Sequence, residues 1–234
     1  MLHYNFFKSQ NDSKQLLVML HGFISDSTTY DSHIEQLRQH VNVLTIDLPG
    51  HGQDTSDMSD TWDFPYIAHA LDEVLSQYSM YDVCLLGYSM GGRVALYYAL
   101  NGSVALRGLL LESTSAGIQS EADKVERVQV DAARAKVLEI AGLEIFVNDW
   151  EKLPLFRSQY ELDAEVRKAI RANRMSQNPV RLAKALRDYG TGNMPNLWPQ
   201  VSSLRVRTLI LTGEKDEKFV QIGQKLKEEI PNSR

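Results

Sequence analysis

Cysteine is almost missing: Cys84 stands alone in 234 residues. A single thiol excludes an internal disulfide framework and suits a reducing compartment. No apolar run is long enough to span a bilayer. The first ten residues lack the basic-then-apolar layout of a secretory signal. These absences predict a cytoplasmic protein. Basic charge is not in excess, the formal net charge being −5, so nothing draws the chain to nucleic acid or to an anionic membrane. No G-x-G-x-x-G follows a strand, and no histidine pair or histidine–acid cluster has ligand spacing, so no dinucleotide, other cofactor or metal is expected. Repeats, low-complexity tracts and flexible linkers are also absent. Histidine is scarce in a particular way: all six (His3, His21, His33, His40, His51 and His69) precede residue 70.

What is present is enough for a sizeable core, with 43% hydrophobic residues. A continuous apolar run at Leu16–Leu20 and mainly apolar stretches at Val41–Ile46, Val83–Leu86, Leu106–Leu111 and Val206–Leu211 read as strands of a buried sheet. A shorter edge strand is expected within Leu2–Phe7. Helical spacing appears over Tyr30–Gln39, Phe64–Tyr78 and Lys218–Ile230. Strands alternating with helices predict a doubly wound, mainly parallel sheet. From residue 118 to residue 200 no buried strand is apparent, and helices are expected at Glu121–Ala141, Ala164–Arg174 and Pro179–Tyr189. The expected organisation is a core of residues 1–117 and 201–234, with 118–200 as a helical cap, or lid, over the sheet's C-terminal edge. The cap carries 13 Lys and Arg against 12 Asp and Glu, so the chain's surplus acid lies in the core. Inward-facing cap arginines could hold an anionic substrate; solvated helix faces would give the same balance.

The chemistry centres on Gly87-Tyr88-Ser89-Met90-Gly91. A strand, this G-x-S-x-G turn and a helix follow one another, the layout of a nucleophile elbow, which exposes the serine hydroxyl on a strained turn. The helix from Met90 aims free N–H groups at negative charge forming beside Ser89. The backbone N–H groups of Phe23, in the His21-Gly22-Phe23 turn, and of Met90 are candidates for an oxyanion hole. A serine hydroxyl needs a histidine to take its proton and a carboxylate to orient that histidine, in the chain order Ser, acid, His. The acid is Asp216, just past a core strand in Gly213-Glu214-Lys215-Asp216, with Glu214 the weaker substitute. None of the six histidines occupies the expected place.

The elbow, the His21-Gly22-Phe23 turn, Asp47-Leu48-Pro49-Gly50-His51-Gly52 and Gly213-Glu214-Lys215-Asp216 together resemble the α/β-hydrolase superfamily. The likeness spans Leu16 to Ile230. It implies an α/β-hydrolase fold with a helical lid insertion. It also implies a further strand, a histidine-bearing loop and a final helix beyond Arg234, none of which this sequence contains. Within the superfamily, four features resemble the 2-succinyl-6-hydroxy-2,4-cyclohexadiene-1-carboxylate (SHCHC) synthases, the MenH branch of menaquinone (vitamin K2) biosynthesis. These are Arg93 after the double glycine; Glu126-Arg127 with Asp131; Asp149-Trp150 with Pro154-Leu155-Phe156; and Arg174-Met175-Ser176-Gln177-Asn178-Pro179 leading to Gly190-Thr191-Gly192-Asn193-Met194-Pro195-Asn196-Leu197-Trp198.

The resemblance implies a carbon–oxygen lyase acting on a small polycarboxylate. A ring proton is abstracted, pyruvate leaves and a conjugated diene forms. Ser89 is then a base within a Ser-His-Asp catalytic triad rather than an acyl-forming nucleophile. Arg93, Arg127 and Arg174 match the family's carboxylate-binding arginines, and Tyr88 and Trp150 match its pocket walls. Helical spacing leaves Arg134 open as an alternative to Arg127, and Arg171 as an alternative to Arg174. The core motifs alone are equally compatible with a carboxylesterase or thioesterase, with a C–C bond hydrolase, or with a non-catalytic anion-binding protein.

Overall fold

The computed structural model describes residues 1–234. Six strands form one sheet: β1 (Tyr4–Phe7), β2 (Gln15–Leu20), β3 (Asn42–Ile46), β4 (Asp82–Tyr88), β5 (Gly108–Glu112) and β6 (Arg207–Leu211). Their order is β1-β3-β2-β4-β5-β6. Only β1 runs antiparallel, with Tyr4 opposite Ile46. The parallel strands are the apolar runs of the sequence, and β3 is buried along its whole length. From β2 the chain goes to one side, to β3; from β4 it goes to the other, to β5. The connections that leave the C-terminal ends of β2 and β4 therefore diverge, which is where open α/β sheets leave a crevice for ligands.

Helices α1 (Asp31–Leu37), α2 (Phe64–Leu75), α3 (Met90–Asn101) and α8 (Glu217–Glu229) belong to the core. Strand alternation sorts the side chains. Leu16, Val18 and Leu20 join the main apolar cluster with residues of α2 and α3, whereas Met19 and Val43 pack with Ile34 of α1. A fully buried side chain of this size contributes roughly 1.5–3 kcal/mol. No helix is long and apolar enough to cross a membrane.

Between β5 and β6 the chain is helical, as expected: α4 (Glu121–Ile140), α5 (Gly142–Trp150), α6 (Ala164–Met175) and α7 (Pro179–Tyr189). The sequence pattern does not show helix α5 or the 3₁₀ stretch Pro154–Glu161. At Gly142 (φ +84°) the chain turns, and Phe146 and Val147 then pack against Ala135 and Leu138. This segment has its own apolar cluster, and Ile24 of the turn after β2 is part of it. Polar ties bind it to the core. Gln177 Nε2 donates to Asp26 (2.7 Å), and Gly52 N–H donates to Gln177 Oε1 (2.9 Å). Arg181 pairs with buried Asp54 at 2.7 Å. After α8, residues 232–234 run beside β6: Thr208 N–H donates to Asn232 O and Ile210 N–H to Arg234 O, both at 2.9 Å.

Candidate active site

At the β4–α3 junction Ser89 has φ +52° and ψ −107°, a conformation that costs a non-glycine residue about 1–3 kcal/mol and persists only where its surroundings enforce it. They do so here. Ser89 N–H donates to Glu112 O (2.8 Å), Thr114 Oγ1 donates to Ser89 O (2.8 Å), and Gly91 N–H donates to His21 O (3.0 Å). A Cβ on Gly91 would lie 2.2 Å from Leu20 O, and one on Gly87 would lie 2.3 Å from Gly91 O. Both glycines of the motif are thus required by close backbone approach, not by their own dihedrals.

Two backbone donors flank Ser89. Met90 opens α3, so its N–H has no partner inside the helix. The N–H of Phe23 makes no hydrogen bond in the protein either. The turn carrying Phe23 is fixed by His21. Its Nε2 accepts from Leu48 N–H (3.0 Å), so its Nδ1 carries the proton and donates to Gly22 O (2.8 Å). Burial pushes the pKa of His21 down. The 47–52 loop is ordered around Asp47, which accepts from Ser27 N–H (2.7 Å) and Gln53 N–H (2.9 Å). Burial works against the Asp47 carboxylate, and these donors hold its pKa below the usual value. His3, which reads as an exposed residue in the sequence, also meets Asp47, at 2.8 Å. His51 is buried, and burial together with neighbouring His21 pushes its pKa down to about 3.

Ser89 opens into a cavity of about 1190 Å³ bounded by both the core and the α4–α7 segment. Its walls bring together Phe23, Tyr88, Ser89, Met90, Arg93, Arg127, Trp150 and Arg174. Asp216 is not among the lining residues. It caps α8 just beyond β6, accepting from Phe219 N–H at 3.2 Å. Of the six histidines, none hydrogen-bonds to Ser89 or to Asp216. The charged side chains on the walls are Arg93, Arg127, Arg134, Arg174, Lys218 and Lys225 against Asp31 alone. Such a lining favours an anionic occupant with several charges. No cluster of three His, Cys, Asp or Glu side chains is arranged to hold a metal ion.

The arginines differ in how they are held. Arg93 lies one helical turn from Ser89, its N–H donating to Ser89 O at 3.1 Å. Its buried Nε has no partner, and burial and nearby Arg127 push its pKa down to about 10. Arg127 Nε donates to Asp131 Oδ1 at 2.9 Å. Arg134 lies 5.3 Å over the Trp150 ring and lines the cavity as Arg127 does. Arg174 is 6% exposed, donating to Glu151 Oε1 and Gln159 Oε1, both at 3.0 Å. Arg171 reaches the other oxygen of Glu151 (2.7 Å) and does not line this cavity. The Trp150 ring stacks on Phe146 and meets Phe23 edge-on at 5.4 Å, and its buried Nε1–H has no partner. Lys218 and Lys225 are additions to the sequence-derived set. Their only signal is a seven-residue spacing, which puts them on one face of α8.

Comparison with known proteins identifies the family. The Alpha/beta hydrolase family matches residues 17–232. A Bacillus subtilis (strain 168) protein provisionally assigned as an SHCHC synthase is 34% identical over 95% of this chain and 81% of its own length. The SHCHC synthase of Salmonella agona (strain SL483) is 33% identical over 90% of this chain and 81% of its own. The solved structure of MenH from S. aureus covers 100% of this chain and 88% of that one, with 58% identity and a TM-score of 0.99. An esterase from Thermogutta terrifontis, 24% identical with a TM-score of 0.83, shares the fold. The chain belongs to the α/β-hydrolase family and, within it, to the 2-succinyl-6-hydroxy-2,4-cyclohexadiene-1-carboxylate synthases.

Proposed function

We propose that the protein is the menaquinone-pathway lyase that expels pyruvate from 2-succinyl-5-enolpyruvyl-6-hydroxy-3-cyclohexene-1-carboxylate to give SHCHC. The observation that carries this reading is the unpaired guanidinium of Arg93, one turn from Ser89, in a cavity lined by further cations. The substrate bears three carboxylates: on the ring, on the succinyl arm and on the enolpyruvyl ether. Arginine's planar fork suits such groups better than lysine's point charge. Arg93, Arg127 and Arg174 are assigned as their anchors, with Tyr88 and Trp150 as walls around the ring.

In the proposed reaction the Ser89 oxygen takes the ring proton as its own proton passes to the imidazole that the family resemblance implies, and negative charge gathers on the succinyl ketone oxygen. The N–H groups of Phe23 and Met90 receive that charge, and such donors typically contribute roughly 3–4 kcal/mol. The ring then forms its second double bond as the C–O bond to the enolpyruvyl group breaks, and the enolpyruvate that leaves becomes pyruvate by taking back one proton at its methylene carbon. No water is consumed. Asp216 is assigned as the carboxylate that orients the imidazole of the relay. Residues 118–200 are assigned as a cap that screens this site from solvent, over a core of 1–117 and 201–234. The compartment is the cytoplasm, where Cys84, its pKa raised by burial, stays an inert thiol. Neither nucleic acid nor membrane is a partner.

The test is a steady-state assay of the natural full-length protein with freshly generated substrate, following diene absorbance and pyruvate release together. Equal amounts of both are expected, and Ser89→Ala should abolish them while leaving the folded structure intact. Hydrolysis of nitrophenyl esters or thioesters with no diene would replace the lyase with acyl transfer.

A further inference from the structure

The arginine cluster contains one buried acid. Asp131 is 2% exposed. Its Oδ1 accepts from Arg127 Nε at 2.9 Å and lies 3.8 Å from Arg134 Nη1. Its Oδ2 faces Gly192 N–H at 3.3 Å. The Gly190-Thr191-Gly192 backbone closes around it so tightly that a Cβ on Gly190 would lie 2.8 Å from Oδ2. Arg93 and Arg134 each feel repulsion from Arg127 and attraction to Asp131. Three guanidinium groups of this part of the cavity wall thus share one carboxylate that lies behind it, off the lining itself. Because Asp131 takes the Nε edge of Arg127, it leaves the paired terminal nitrogens of that side chain uncommitted. A planar guanidinium offers a carboxylate two parallel N–H bonds only when it is held in one orientation.

We infer that Asp131 is a positioning residue with two effects: it orients Arg127 for bidentate contact, and it holds the charge of the Arg93–Arg127–Arg134 group at +2. It thereby makes the site selective for a geometrically matched polycarboxylate over small, round dianions. This inference rests on the assignment of Arg93 and Arg127 as substrate anchors. It separates from that assignment because Asp131 touches no substrate and acts through another residue.

The substitution that tests it is Asp131→Asn. An amide presents one oxygen, so either Arg127 Nε or Gly192 N–H faces an N–H₂ group in place of an acceptor. The arginine group also rises to +3. The two effects have opposite consequences for two ligands. KM for the substrate is expected to rise by about tenfold or more as Arg127 loses its orientation, with kcat less affected. Sulfate, used as the probe dianion in calorimetry on the free protein, is expected to bind more tightly by about tenfold, because an added unit charge nearby attracts it in any orientation. Asp131→Glu, which keeps the charge, should leave sulfate binding near wild type. A general loosening of the cap would weaken both ligands together, and that result would overturn the inference. So would a variant with active lyase turnover and unchanged KM and sulfate affinity. Absence of lyase turnover in the wild-type protein, with sulfate binding still strengthened by Asp131→Asn, would instead remove the functional assignment and leave the charge argument standing.

Discussion

Arg93, the proposed substrate anchor, ought also to be a stability liability. Its guanidinium is paired with no carboxylate, its Nε is buried without a partner, and its pKa is pushed down to about 10 by burial and by Arg127. A base whose folded pKa lies below its unfolded value disfavours the folded state wherever it is charged. The penalty is complete below about pH 10 and is relieved only as pH rises from there towards the higher unfolded value. At neutral pH the shift corresponds to roughly 3 kcal/mol at one pKa unit per 1.36 kcal/mol. Water in the open cavity offsets part of this. Arg93→Met keeps the length of the stem and removes the charge, so it should stabilise the empty protein by about 1–3 kcal/mol. For a chain of this size that is a rise in Tm of about 2–4 °C per kcal/mol. The same variant should lose roughly 2–5 kcal/mol in kcat/KM, as expected for removal of a desolvated charge partner. Differential scanning calorimetry and the diene assay read the two effects separately. In addition, succinate should raise the Tm of the wild type and barely move that of the variant. A variant less stable than wild type would mean that the guanidinium is already satisfied in the empty protein. An unchanged kcat/KM would remove Arg93 from the substrate site.

Two further predictions concern stability alone. Gly91→Ala would press a methyl group onto the main-chain oxygens of Leu20 and His21, which cannot move without breaking the β2–β4 ladder. A loss of at least about 2 kcal/mol in urea unfolding is expected. Gly142→Ala meets no neighbour and pays only for its positive φ, about 1 kcal/mol, so similar losses for the two would refute the packing argument. His51 is neutral at pH 7, with its pKa held near 3 against 6.5 when unfolded. Protonation therefore favours the unfolded chain: stability is full above about pH 6.5 and declines below it, by up to about 1.4 kcal/mol per pH unit for each such histidine. His21 acts in the same direction. Urea titrations at pH 7.0 and 5.5 should show this loss, and His51→Gln should reduce it; stability that is flat between the two pH values would show that neither imidazole is buried as described.

The parts of the fold that were readable from the sequence are those with local causes. The parallel strands announce themselves as apolar runs, and α7 begins and ends where Asn178, Pro179 and Gly190 say it should. Helix α5 was not readable, because Ile145-Phe146-Val147 is too short a run to show a period and its start depends on Gly142 turning the chain. The cavity residues divide in the same way. Ser89, Met90 and Phe23 lie in turns whose geometry the glycines dictate. Arg171 and Arg174 sit three residues apart on one helix and share Glu151, so only the way that helix is seated puts Arg174 and not Arg171 on the cavity wall. The pairing of His3 with Asp47 joins residues 44 apart across the β1–β3 edge, which no local pattern reveals.

Ile24 follows Phe23 in the turn after β2, yet its side chain is packed in the apolar cluster of the α4–α7 segment, while Phe23 itself lies against Trp150 and His51. One of the two free N–H groups beside Ser89 is therefore held jointly by the sheet and by the segment that roofs it. If the roof swings outward to admit a molecule, it pulls on the peptide that carries this donor. The placement of that donor therefore depends on how the helical segment is seated against the sheet.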